Sequence, residues 1–197
     1  MGTSGVVLRT FVAVELPEDA LAAVGSAQRA LASRLPSRAL RWTRPEGIHL
    51  TLKFLGDTPA DAVPEIGRRL GNALSGLPGF SLSLAALGVF PSTQAPRVVW
   101  IGLSGDLPSL LEAQRRVEAA ISTLGYPTER RPFSPHLTLA RVADIASPSE
   151  SREIGAVVEV AAPPPQVRFG VGEVCLIRSE LGPGGARYSR LAAVPLA

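Results

Sequence analysis

The sequence predicts an α+β fold of two pseudo-symmetric lobes, with antiparallel sheets facing a central cleft and helices outside. Three observations carry the prediction. The chain has 197 residues and is 46% hydrophobic, enough for a single domain (1–197) with a real core. Both of its histidines open the same tetrapeptide, His49-Leu50-Thr51-Leu52 and His136-Leu137-Thr138-Leu139, a match that average residue usage would give about once in a thousand trials. The 87-residue offset between the copies also superimposes other features, which is the mark of an internal duplication.

Taken in order, the β-rich run Phe11–Leu16 falls at that offset on Val98–Leu103. Glu18–Arg34 reads as a helix, with Pro17 near its start and Asp19 in its first turn. Its counterpart is Asp106–Leu124, where Leu110, Leu111, Val117 and Ile121 make one apolar face and Gly125 is a stop. The tetrapeptides follow as strands. Asp61–Leu74 and Pro148–Val158 read as helices, and Phe80–Phe90 and Val167–Ile177 as strands of alternating polarity. Each half, about 6–90 and 97–180, therefore reads strand, helix, strand, helix, strand, and a last strand runs over 186–194. Pro91–Pro96 is the junction, while Pro163-Pro164-Pro165 and Gly182-Pro183-Gly184-Gly185 are loops, the second a turn between the last two strands.

The composition excludes a disordered chain. The single cysteine, Cys175, has no internal disulfide partner and falls in a predicted buried strand, which makes it inert packing. There is no signal-peptide pattern and no apolar run of membrane length, and the expected setting is cytoplasmic, as a monomer that does not engage a membrane. The start Met1–Val6 lacks the Ser or Thr that an acylation signal requires. Nineteen of the 20 basic residues are Arg; the one lysine, Lys53, directly follows the first tetrapeptide.

In a strand, side chains alternate faces, so each histidine shares a face with its threonine while both leucines point the other way. Two such strands aim two imidazoles and two hydroxyls into one cleft. Histidine titrates near neutrality, so one copy can take a proton while the other gives one. This suits in-line displacement at phosphorus, with Thr51 and Thr138 donating to the non-bridging oxygens. The scheme needs no metal and no cofactor, and the residues in phase with the histidines, Thr51, Lys53, Thr138 and Ala140, offer no carboxylate to a metal. Lys53, in phase with His49, is expected on a substrate phosphate or in solvent. Trp42 and Phe133 precede the two motifs in loop-like segments and could stack on bases or pack in the core. Glu46 has no partner visible in the sequence.

At these residues the chain resembles the two-histidine phosphoesterases, and within them the LigT-like RNA 2',3'-cyclic phosphodiesterases. The resemblance runs from Arg9-Thr10-Phe11-Val12-Ala13 through Arg41-Trp42, Pro45-Glu46-Gly47-Ile48-His49-Leu50-Thr51-Leu52-Lys53-Phe54-Leu55-Gly56 and Arg97-Val98-Val99-Trp100 to Pro132-Phe133-Ser134-Pro135-His136-Leu137-Thr138-Leu139-Ala140-Arg141. It implies hydrolysis of a 2',3'-cyclic phosphate at an RNA end, tRNA halves included, to a 2'-phosphomonoester, with His49 as proton donor and His136 as proton acceptor. The two near-identical copies do not by themselves tell donor from acceptor. Run backwards, the same pair would join RNA ends through a 2'-5' linkage. The resemblance also implies a substrate role for Arg141, although five residues from His136 it is out of phase unless the strand ends or bulges. Two alternatives keep the motif but change its use: hydrolysis of small cyclic nucleotides or ADP-ribose cyclic phosphate, and a non-catalytic module that binds RNA ends.

Overall fold

In the computed structural model, which describes residues 6–182 and 185–197, the elements follow the repeat closely. They are β1 (Val7–Glu15), α1 (Glu18–Ala32), β2 (Leu40–Trp42), β3 (His49–Pro59), α2 (Val63–Leu74), β4 (Phe80–Phe90), β5 (Val98–Gly105), α3 (Leu107–Ser122), β6 (His136–Val142), α4 (Pro148–Glu159), β7 (Arg168–Val171), β8 (Glu173–Gly182) and β9 (Gly185–Pro195). Positions 183–184 of the expected final turn, and the start 1–5, lie outside the described residues. Helix starts are written in local chemistry. Asp106 caps α3 by accepting from the Ser109 N–H, and Ser147 and Glu150 close a reciprocal capping box on α4. No helix among the described residues is long and apolar enough to cross a membrane.

The strands form one curled antiparallel sheet in the order β7-β4-β5-β6-β3-β1-β8-β9, with β2 paired to β6. Its pairings repeat with the 87-residue offset of the sequence. In β1–β3, Glu15, Val14 and Ala13 face His49, Leu50 and Thr51; in β5–β6, Gly102, Ile101 and Trp100 face His136, Leu137 and Thr138. Both pairings then slip at the equivalent step, between Val12 and Ala13 and between Val99 and Trp100. The two halves meet where Leu50 pairs with its own counterpart, Leu137. That pair marks a pseudo-twofold axis.

Two features differ from the expectation. The lobes do not coincide with the sequence halves: β4 crosses to pair with β5, and β8 returns to pair with β1, so each half donates a strand to the other lobe. The predicted strand Val167–Ile177 is divided at Gly172 into β7, on β4, and β8, on β1, which lie far apart in the sheet order. At one end of the curled sheet the C-terminus is tied back to the segments before β4 and between β7 and β8. Ala197 N–H donates to Leu77 O (2.8 Å), Gly79 N–H to Ala197 O (3.0 Å) and Leu196 N–H to Gly172 O (2.8 Å).

One main core joins both halves, with Leu50, Leu52, Leu137 and Leu139 buried beside Leu70, Leu110, Val117 and Ile121. Packing is exchanged as well. From α1, Gln28 Nε2 donates to Leu139 O on β6 (3.0 Å), and from α3, Glu118 reaches Lys53 on β3 (2.7 Å). A second, small cluster of Phe11, Ala13, Cys175 and Ile177 lies apart from the main core.

Candidate active site

The Leu50–Leu137 pair brings the two tetrapeptides together by antiparallel register. With these leucines buried on the core face, His49 comes opposite Thr138 and His136 opposite Thr51 on the other face. Directly opposite residues have Cα atoms about 4.5–5.5 Å apart, and the histidines, as diagonal neighbours, have Cβ atoms about 7–8 Å apart. That gap suits a phosphoryl group with one imidazole on either side. The hydroxyls of Thr51 and Thr138 are half-buried and have no hydrogen-bond partner among the described residues, so both remain open to a ligand.

The imidazoles are oriented identically. His49 Nδ1–H donates to Gly47 O (2.9 Å) and His136 Nδ1–H to Ser134 O (2.7 Å), again at equivalent positions. A carbonyl only accepts, so each bond places the proton on Nδ1 and leaves Nε2 as the nitrogen that gives or takes a proton. Surrounding packing is not symmetric. His49 stacks on Phe11 (centroids 4.4 Å apart) and meets the edge of Tyr188 (5.1 Å), whereas His136 meets Phe90 (5.1 Å) and Trp100 (6.5 Å). Two glycines make room. At Gly47 a Cβ would stand 3.0 Å from the Tyr188 ring, and at Gly88 it would overlap the Trp100 indole. Burial pushes the His49 imidazole below its ordinary value of 6.5, partly offset by the Gly47 carbonyl and by Glu15.

The register slip corrects the expectation for Lys53. Leu52 and Lys53 are both buried in succession, because the bulge shifts the phase of β3 and sends Lys53 to the core face. There Nζ donates to Glu118 Oε1 (2.7 Å) and Pro127 O (2.8 Å), so Lys53 braces β3 against α3 instead of reaching the cleft. The same slip in β6, at Leu139 and Ala140, turns Arg141 onto the face of His136 and Thr138, supplying the bulge that a substrate role required. Arg141 is exposed, and its charge opposes the upward push that burial gives the Tyr188 phenol, which puts it near the His49 side of the cleft.

Trp42 and Phe133 are half-buried and packed against the main core, in keeping with the core-packing alternative for both. Trp42 ends β2, where it pairs with Ala140 of β6, and Phe133 lies just before β6. The exposed aromatic residues of the cleft are Phe54 and Tyr188, which sequence reasoning passed over. Phe54 had a signal: the spacing Leu50, Leu52, Leu55 changes from two to three and marks the phase shift that exposes it. Tyr188 had none.

Away from the histidines, Arg190 bonds Glu15 and, at 2.8 Å, Glu173, beside Cys175. Glu15, Glu173 and Cys175 are the one group of close potential metal ligands among the described residues, and neither histidine belongs to it. Burial pushes the Cys175 thiol up to about 12, in keeping with inert packing.

Comparisons with known proteins agree with this geometry. The family model described as LigT like Phosphoesterase matches twice, over residues 14–100 and 101–188, with starts 87 residues apart like the two histidines. An RNA 2',3'-cyclic phosphodiesterase of Geobacillus stearothermophilus is 33% identical over 186 residues, covering 94% of this chain but only 56% of the relative. The protein of the same name from Methanothermobacter thermautotrophicus is 33% identical over 185 residues, covering 92% of this chain and 95% of its own length. The crystal structure of Escherichia coli LigT complexed with 3'-AMP superposes with a TM-score of 0.77 at 26% identity, covering 98% of this chain and 99% of the other.

Proposed function

Because this chain belongs to the LigT-like phosphoesterases, we propose that it is an RNA 2',3'-cyclic phosphodiesterase that opens the cyclic phosphate to a 2'-phosphomonoester. The observation that carries the reading is the pairing of Leu50 with Leu137, which sets the two His-x-Thr faces side by side about one axis. In the forward reaction His136 Nε2 takes the proton of the attacking water, and His49 Nε2 gives a proton to the departing 3' oxygen. Burial of His49 makes its imidazolium more acidic than an ordinary one, as suits a donor to a poor leaving group. Thr51 and Thr138 hydroxyls donate to the non-bridging oxygens, and Arg141 adds positive charge on the same face.

Reversal exchanges the two histidine roles, and the equivalence of their Nδ1–carbonyl bonds supports the reverse, 2'-5' joining reaction at the same site. We further propose RNA ends such as tRNA halves as substrates. The enzyme would act as a monomer, since one chain supplies both histidines, in the cytoplasm, where the free Cys175 thiol stays reduced.

The deciding experiment is product analysis on an oligonucleotide ending in a 2',3'-cyclic phosphate. A 2'-phosphate product, lost in His49→Ala and in His136→Ala, is expected. A 3'-phosphate product would reverse the assignment of the leaving oxygen, and full activity in either variant would end the acid-base scheme.

A further inference from the structure

Phe54 is the most conspicuous side chain that the reaction does not use. It is 69% exposed in the middle of a sheet, where a phenylalanine ordinarily faces the core. It pairs directly with Phe11 across β1–β3, and the ring of Phe11 is stacked on His49. Phe54 therefore lies on the catalytic face, with its ring 6.1 Å from that of Phe11. The phase shift that buries Lys53 also presents Phe54, and in the second repeat the equivalent position is Arg141. The pseudo-symmetric cleft thus carries a cation at one end and an open aromatic ring at the other.

Distance along the strand decides what the ring can reach. Phe54 is three residues beyond Thr51, about 10 Å along a strand, too far for a phosphate held between the histidines. Tyr188, 38% exposed and 5.1 Å from His49, is the nearer aromatic surface. Phe11 is 3% exposed and already covered by His49, so it offers no free face. Two open aromatic rings at different distances from one catalytic histidine form a stacking path that leads away from the phosphate. Arg9, exposed and two residues from Phe11 on the same face of β1, makes no ion pair among the described residues, although Asp57 is its register partner.

We infer that Phe54 stacks on the base of the nucleotide preceding the cyclic phosphate, so that the site binds at least two nucleotides and selects RNA ends over mononucleotides. Single-stranded nucleic acids are held this way, by bases laid on aromatic rings of a sheet and backbone charge met by nearby arginines. The inference rests on the cyclic phosphodiesterase reading above.

The test compares kcat/KM on a dinucleotide ending in a 2',3'-cyclic phosphate with that on 2',3'-cyclic AMP. The parent should favour the dinucleotide by about tenfold or more, equal to about 1.4 kcal/mol. Phe54→Ala should lower the dinucleotide value about tenfold more than the mononucleotide value, and Phe54→Tyr should restore it. Unchanged circular dichroism shows that each variant is folded. Equal losses on both substrates, or no loss on either, would overturn the inference, as would a parent active on the mononucleotide alone. A parent inert on both would overturn the phosphodiesterase reading itself, and this inference with it.

Discussion

Replacing Lys53 with methionine separates a bracing role from a phosphate-binding one. The lysine side chain is 3% exposed and its partner Glu118 is 20% exposed. Glu118 Oε1 accepts from Lys53 Nζ (2.7 Å) and from Glu129 N–H (3.1 Å), while Oε2 is buried without a partner. Removing the lysine leaves a largely buried carboxylate with one backbone donor. Breaking a buried pair in this way costs about 3–5 kcal/mol; the partial exposure of Glu118 places this case near about 3. For a chain of this size each kcal/mol lowers Tm by about 2–4 °C, so Lys53→Met should unfold about 6–12 °C earlier at pH 7. The double variant Lys53→Met, Glu118→Leu removes the orphaned charge and should recover most of that loss. Thermal unfolding followed by circular dichroism gives the stabilities, and kcat/KM at 25 °C on a cyclic-phosphate oligonucleotide gives the activity. The double variant should keep kcat/KM within about threefold of the parent, since an active-site contact would be worth tenfold for each 1.4 kcal/mol lost. If Lys53→Met leaves Tm unchanged and activity collapses, Lys53 serves the substrate and the bracing argument fails.

His49→Ala and His136→Ala should each lower kcat about 10²–10⁴-fold, the usual worth of a positioned acid or base, with little change in Tm; a loss under tenfold in either single-turnover measurement would contradict the assignment. Thr51→Val and Thr138→Val should each reduce kcat about 10²-fold by removing a donor to the transition-state phosphoryl oxygens, and a change confined to KM would show that they serve binding alone. Arg141→Met should raise KM on the oligonucleotide and weaken its salt dependence; unchanged salt dependence would remove Arg141 from the substrate. Because burial disfavours the charged form of His49, its ring resonances should titrate below 6.5 in NMR, and a midpoint at or above that value would show that the burial seen in the structure is not felt in solution.

Much of this was legible because duplication doubles each local signal. The tetrapeptides and the offset of 87 marked the shared face of the histidines and threonines and the order of strands and helices around it. Strand partners were not legible, because alternation says which face a residue takes and never which neighbour it pairs with. The exchange of β4 and β8 between lobes therefore had no sequence mark. Lys53 and Arg141 were assigned faces by strict alternation, and two equivalent bulges, one in β3 and one in β6, reversed them; the Leu50, Leu52, Leu55 spacing was the trace of the first. Trp42 and Phe133 show the remaining gap: the short strand β2 that holds Trp42 had no periodic signal, and an aromatic residue between prolines, as Phe133 is, can turn inward or outward and only packing decides.

The strand exchange has a consequence for how the protein is made. Pairing of β1 with β8 joins Arg9 to Ser179 and Ala13 to Cys175, contacts that span nearly the whole chain, and long-range pairings of this kind slow folding because loop closure precedes any reward. The first lobe cannot close while its last two strands are still unsynthesised. A nascent chain ending near Val171 would hold both histidines yet leave one side of β1 unpaired, an edge open to aggregation. Catalytic competence should therefore arrive late in synthesis and all at once, with the closing hairpin.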